Sequence, residues 1–220
     1  ALNQIPADVR SIVYCTVVRE GSQSEFNFLW ARLQRESIAS ETFNLLKGLS
    51  CTQDPSLILW FLEQHLKNGS VIRDQDLSVS IENVARSPQA NQIAWNWIRD
   101  NWSQLFDKWG KSESTLGNII EAVSSRFVSV RQRDEFKTFA DSIIDKGNAY
   151  RQFQLSIDSI NAAIEWNTAN LASIIAFFRS NNESSIVSYR LPTDVVPVHY
   201  DLYVKPYMNI TNENLRFSMF

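Results

Sequence analysis

Histidine is the first shortage. The 220 residues contain two, His65 and His199, in unrelated segments. No pair shares a helical turn, which excludes a three-ligand catalytic zinc centre built on paired imidazoles within this chain. A serine or cysteine nucleophile would have to draw its base from the same two residues, and neither sits in a pattern that supplies one. Basic excess is also missing. Lys and Arg number 21 against 24 Asp and Glu, for a net charge of −3. That removes the electrostatic ground for nucleic acid or an anionic membrane as partner. Glycine and proline number six each, so few breakers interrupt helices. The longest apolar run near the end, "IIAFF", falls far short of the roughly 20 residues a membrane helix needs. The opening "ALNQIPADVR" has no initiator Met and no charged-then-apolar leader, and it reads as an interior start without a signal peptide.

What is present is core material. Hydrophobic residues make up 44%, with seven tryptophans and thirteen phenylalanines, and a helical period dominates to about residue 179. Val9, Ile12, Val13 and Val17 share one face, with Asp8 before them and Gly21 after. "SQSE" at 22–25 has capping-box spacing ahead of Phe26, Leu29 and Leu33. A third helix spans about 40–50. Asp54 and Pro55 then start a helix carrying Leu57, Ile58, Phe61 and Leu62. Leu77, Ile81 and Val84 mark the next, and Ser87-Pro88 opens one carrying Ala94, Trp97, Ile98, Trp102 and Leu105. Leu116 to Val123 follows, Ser129 and Gln132 cap a segment with Phe136 and Phe139, and a long helix carries Phe153 to Phe178.

About nine helices joined by short turns predict an all-α fold: an irregular α-solenoid of antiparallel helix pairs, HEAT- or armadillo-like, with a compact bundle as the competing architecture. After Phe178 the character changes. "RSNNESSIVS" reads as a linker, and "VPVHYDLYV" alternates with period two, as a short C-terminal β-strand does. The domain organisation is therefore 1–179 helical, 180–188 linker, and 189–220 the truncated start of a β-domain. From number alone, Cys15 and Cys51 are two buried thiols as readily as a bridge.

Four stretches, "VRSIVYCTVVREGSQSEFNFLWARL", "LLKGLSCTQDPSLILWFLEQHL", "VIRDQDLSVSIENVARSPQANQIAWNWIRDNWSQLF" and "LGNIIEAVSSRF", closely resemble the C-terminal helical domain of aminopeptidase N-type zinc aminopeptidases. The similarity covers about residues 5–179. "YRLPTDVVPVHYDLYVKP" is similar to the first strand of the same family's N-terminal β-domain. The chain thus reads as the end of one such unit joined to the beginning of another. The resemblance implies a cup of helices over a peptidase cavity and a Cys15–Cys51 disulfide. It also implies an extracellular or cell-surface setting and an apolar face near the first helix left open. It implies zinc in the parent enzyme, yet neither H-E-x-x-H nor G-x-M-E-N occurs here. No catalytic or metal-ligating residue is therefore assigned, and no cofactor is expected in this portion.

The implied function is a non-catalytic part of an enzyme that removes N-terminal amino acids from peptides. Its implied partners are the rest of the aminopeptidase chain, peptides and a second copy, with no nucleic acid. The alternative is a stand-alone helical-repeat scaffold binding a protein or peptide. His65 reads as a polar residue at a helix edge favoured by the dipole, and His199 as a strand residue without chemistry. Trp95, Trp102 and Trp109, every seventh residue, read as core packing. Of four N-x-S/T sequons, Asn68 in a turn is the best glycosylation candidate, followed by Asn182 and Asn209. Asn101, inside a tryptophan-rich helix, reads as unused.

Overall fold

The computed structural model describes residues 4–112 and 114–185. Among them are ten α-helices and one 3-10 turn, with no strand. The helices are α1 (Arg10–Glu20), α2 (Gln23–Leu33), α3 (Ala39–Leu49), α4 (Pro55–Glu63), α5 (Asp74–Arg86), α6 (Asn91–Asp100), α7 (Trp102–Trp109), α8 (Thr115–Ser124), α9 (Val130–Ser142) and α10 (Tyr150–Ser185). The fold is all-α, as the periodicity implies. The strand expected near 198–204 lies outside the described residues.

Local chemistry sets several starts. Ser22 accepts the Ser24 amide while the Glu25 carboxylate accepts the Ser22 amide at 2.7 Å, closing the expected capping box of α2. Asp54 accepts from the Ser56 and Leu57 amides, with Pro55 at the first helical position of α4. Ser129 caps α9 through the Gln132 amide. Asp8, by contrast, does not cap α1. The cap position is Val9, which makes no side-chain bond.

The chain divides into two compact units, Ala1–Leu171 and Ala172–Phe220. In the first, helices stack by alternate number as well as by neighbour. α1 packs on α3, α3 on α5 and α5 on α8, while α4 packs on α6; α2·α3 and α5·α6 tie the two rows together. This is the irregular solenoid. One continuous core runs from Tyr14 to Ile160. Of the second unit, the described residues are the last turns of α10, where exposed Phe177 and Phe178 meet edge to face. α10 continues through Ser185, so the first part of the expected linker is helical. No glycine or proline stands between Gly147 and Pro192 to stop it.

Two further expectations change. The tryptophan-rich helix is two helices, broken at Asn101, whose φ and ψ are −109° and 16°. Its amide Nδ2 donates to the Trp97 carbonyl at 2.9 Å, a side-chain bond that competes with the helical backbone. On α1, the buried residues are Tyr14 and Val18. Ile12 lies about 200° around the helix from Tyr14 and is 64% exposed, with Val9 and Val17 also exposed. The valine stripe therefore faces out, as the open face near the first helix was expected to.

Trp95 is the hub of the aromatic seam. Its ring meets Phe127 at 5.6 Å and Phe139 at 5.2 Å, both edge-on, and lies tilted on Phe136 at 5.4 Å. Trp102 meets Phe139 and Phe153, joining α7, α9 and α10. Trp95 and Trp109 are buried and Trp102 packs against the core, so the seven-residue spacing is a packing stripe. The Trp95 indole also donates to Glu135 at 2.8 Å, which satisfies its polar edge. Trp95→Ala is expected to lower unfolding free energy by about 3–5 kcal/mol. A shift in urea midpoint at unchanged m-value would show it; a loss within error would refute the hub.

Candidate functional site

Cys15 on α1 and Cys51 beyond α3 are joined in a disulfide, with a Cα–Cα distance of 5.2 Å. The bond sits on a contact already tight. An added Cβ on Gly48 would come within 2.6 Å of the Tyr14 Cβ, so glycine alone permits this approach of α3 to α1. Beside it, the buried Glu41 carboxylate accepts from the Tyr14 hydroxyl and from Arg10 at 3.1 Å. Burial pushes the Glu41 carboxyl up, but Tyr14, Arg10 and Asn44 outweigh it and hold it below the usual range. Arg10 also donates to the Ile5 carbonyl. This cluster is structural: every polar group in it faces another.

The His65 expectation is corrected. It is fully buried at the end of α4, not a polar edge. Nδ1 lies 2.8 Å from the Phe61 carbonyl and 3.2 Å from that of Leu62, so Nδ1 carries the proton and donates. Nε2 is then an acceptor, buried without a hydrogen-bond partner. Its edge-on contact with Phe61 completes an apolar setting. Desolvation drives the pKa down to about 4; the two carbonyls oppose it, and Lys108 adds to the depression.

Besides a recess of about 360 Å³ lined by Phe28, Ala31, Arg32, Arg35 and Glu36, the described surface carries a groove that gathers polar groups from two helices. It holds about 380 Å³ between α4 and α6, floored by Leu59, Ile93 and Trp97 and edged by Glu63, Asp100, Asn96 and Asn101. Of its polar edge, Asp100 is paired with Arg99 at 3.4 Å, and the Asn101 amide is held by the Trp97 carbonyl and Gln104. The residues are 42 positions apart at the extremes, Leu59 to Asn101, and only the stacking of α4 on α6 unites them. No single-segment motif signals that union.

The sequons separate. Asn68 is exposed in the turn after α4, whereas Asn101 is half-buried at the α6–α7 break. Asn182 falls on α10, but its side chain lies outside the described set, as do Asn209 and His199. Among the described residues no three His, Cys, Asp or Glu side chains gather as a metal site. None of their helices is long and apolar enough to cross a membrane.

The family model described as "ERAP1-like C-terminal domain" matches residues 1–162. The chain belongs to that family. This ERAP1-like domain is similar to Aminopeptidase N of Canis lupus familiaris, at 27% identity over 186 residues, covering 82% of the chain and 19% of the relative. Aminopeptidase Ey of Gallus gallus is 28% identical over 189 residues, covering 83% and 19%. Thyrotropin-releasing hormone-degrading ectoenzyme of Rattus norvegicus is 31% identical over 164 residues, covering 74% and 15%. The chain spans about a fifth or less of the length of these relatives. The resemblance read from the four helical stretches is thereby established. The zinc chemistry of such enzymes does not fit the donors described here. The one described histidine, His65, is enclosed in the core with its Nδ1 engaged by backbone carbonyls.

Two outcomes are expected. Reducing the 36-residue loop closure should cost about 3 to 4 kcal/mol in the chain-entropy account; denaturation with and without reductant measures it. For His65, the unfolded imidazole titrates near 6.5 and the folded one near 4. Between those values the unfolded state binds more protons. The contribution is therefore complete above about pH 6.5 and lost as pH falls towards 4, by about 3 kcal/mol in all. Unfolding free energy measured across that window should show the slope, and His65→Gln should flatten it.

Proposed function

We propose that this chain is a non-catalytic helical portion of a zinc aminopeptidase, the parent enzyme releasing N-terminal amino acids from peptides. The observation that carries the reading is the family match over residues 1–162, with the α4–α6 groove as support for a peptide-contacting face. In this reading the metal, the water it activates and the amine-binding groups come from other parts of the parent. This domain walls the cavity and holds the distal part of the peptide. Leu59, Ile93 and Trp97 supply apolar contact, Asn96 offers an amide to the peptide backbone, and Glu63 and Asp100 attract basic side chains.

The partners are the remainder of the aminopeptidase polypeptide, the peptide substrate and a second copy of the chain. The outward Val9, Ile12 and Val17 stripe supports contact with further polypeptide. The Cys15–Cys51 bridge supports an oxidising setting, hence an extracellular or cell-surface enzyme.

The chain alone should give no chelator-sensitive turnover of an aminoacyl fluorogenic substrate; such turnover would refute the proposal. In the parent enzyme, Glu63→Gln or Asp100→Asn should each raise KM for peptides with basic distal residues about twofold to fivefold, the size of an exposed charge pair. kcat on a single-residue aminoacyl dye should not move. Equal effects on peptide and dye would remove the groove from substrate binding.

A further inference from the structure

We propose that Asn68 is an N-glycosylation site, modified by an oligosaccharide carried on a lipid pyrophosphate. In the transfer, Asn68 Nδ2 bonds to the anomeric carbon of the first N-acetylglucosamine. The bond from that carbon to the pyrophosphate oxygen breaks, the lipid pyrophosphate leaves with the electron pair, and the transferring enzyme takes the amide proton.

The Asn68-Gly69-Ser70 sequon occupies the turn between α4 and α5, with Asn68 and Gly69 exposed. Gly69 has φ of +71°, and nothing approaches within 4 Å of where its Cβ would be, so the middle of the sequon stands in open space. The turn is nonetheless shaped. The Ser70 amide donates to the Lys67 carbonyl at 3.3 Å, and Ser70 Oγ accepts the amide of buried Ile72 at 3.1 Å. These bonds pin the two ends of the turn to the core and leave its tip outward.

Asn101 supplies the contrast within the same fold. Its Nδ2 donates to the Trp97 carbonyl and its Oδ1 accepts from Gln104, at the half-buried break between α6 and α7. A glycan there would have to displace that contact beside Trp102. The Cys15–Cys51 disulfide is independent support, since the compartment that oxidises thiols is the one in which lipid-linked oligosaccharide is transferred. A glycan at Asn68 is bulky. It therefore also fixes the α4–α5 turn as a solvent-facing edge of the assembled protein, closed to the parent's other domains and to a second copy.

The inference rests on the extracellular placement proposed above. To keep the two separable, the full 220-residue chain is secreted from eukaryotic cells behind a supplied leader, so its result does not depend on the peptidase reading. Trimming with an endoglycosidase leaves one N-acetylglucosamine, which deamidation at Asn-Gly cannot imitate. Peptide mapping should find that sugar on the peptide ending at Arg73 in most molecules and none on Asn101. Asn68→Gln should remove it while Cys15–Cys51 still forms. A secreted, oxidised chain with bare Asn68, or with sugar on Asn101 in its place, overturns the proposal.

Discussion

The close approach of α1 to α3 is the constraint on which the solenoid depends. Three unlike interactions act at one contact: Gly48 removes a side chain that would meet Tyr14, the Glu41 carboxylate joins Tyr14 and Arg10, and Cys15 is bonded to Cys51. The division of labour follows from α1 itself. It presents only Tyr14 and Val18 as buried residues, too little apolar surface to hold an eleven-residue helix that would be marginal alone. A covalent tie and a buried charge network supply what packing does not. A buried carboxylate stripped of its partners would be strongly destabilising, so the cluster also specifies one register for α1 on α3.

From that first layer the stack propagates through α5 to α8, and the second row is set against it by α2·α3 and α5·α6. The far end is held differently, by the aromatic seam around Trp95, Trp102, Phe136 and Phe153. Ser124 and Ser156 join α8 to α10 at 2.8 Å within it, so the seam is not purely apolar. The groove lies between these anchored regions. Its walls are surface residues of α4 and α6 whose buried neighbours, Phe61 and Ile98, are fully enclosed. The groove thus has a buried base beneath a polar edge.

Legibility in the sequence followed the range of the cause. The caps at Ser22, Asp54 and Ser129 are set by bonds spanning two or three residues, and they were readable. Asn101 was not, because the same residue type sits inside helices elsewhere, and only its bond to the Trp97 carbonyl reveals the break. His65 looked like a polar edge because α4 ends there; that α4's end is covered is a tertiary fact. On α1 the stripe of Val9, Ile12 and Val17 has correct helical spacing and faces outward, since periodicity reports an apolar face without saying what covers it. The groove was least visible, because its two helices pack together while separated in sequence by α5. The disulfide pairing came from family resemblance, as two cysteines alone leave bridge and thiols equal.

The same geometry bears on the groove between α4 and α6. Charges at the groove, Glu63 and Asp100, stand at an exposed edge where each is worth little singly and is screened by salt. Under the proposed function their influence is on which peptides dwell there and how they are oriented. That influence requires α4 and α6 to keep their spacing. α4 is held from both sides. Trp60 meets Phe26 and Trp30 of α2, while its other face packs on α6. α2 in turn rests on α3, and α3 on the disulfide-tied α1. The placement of α4 thus rests, through α2 and α3, on the contact that the Cys15–Cys51 bond ties.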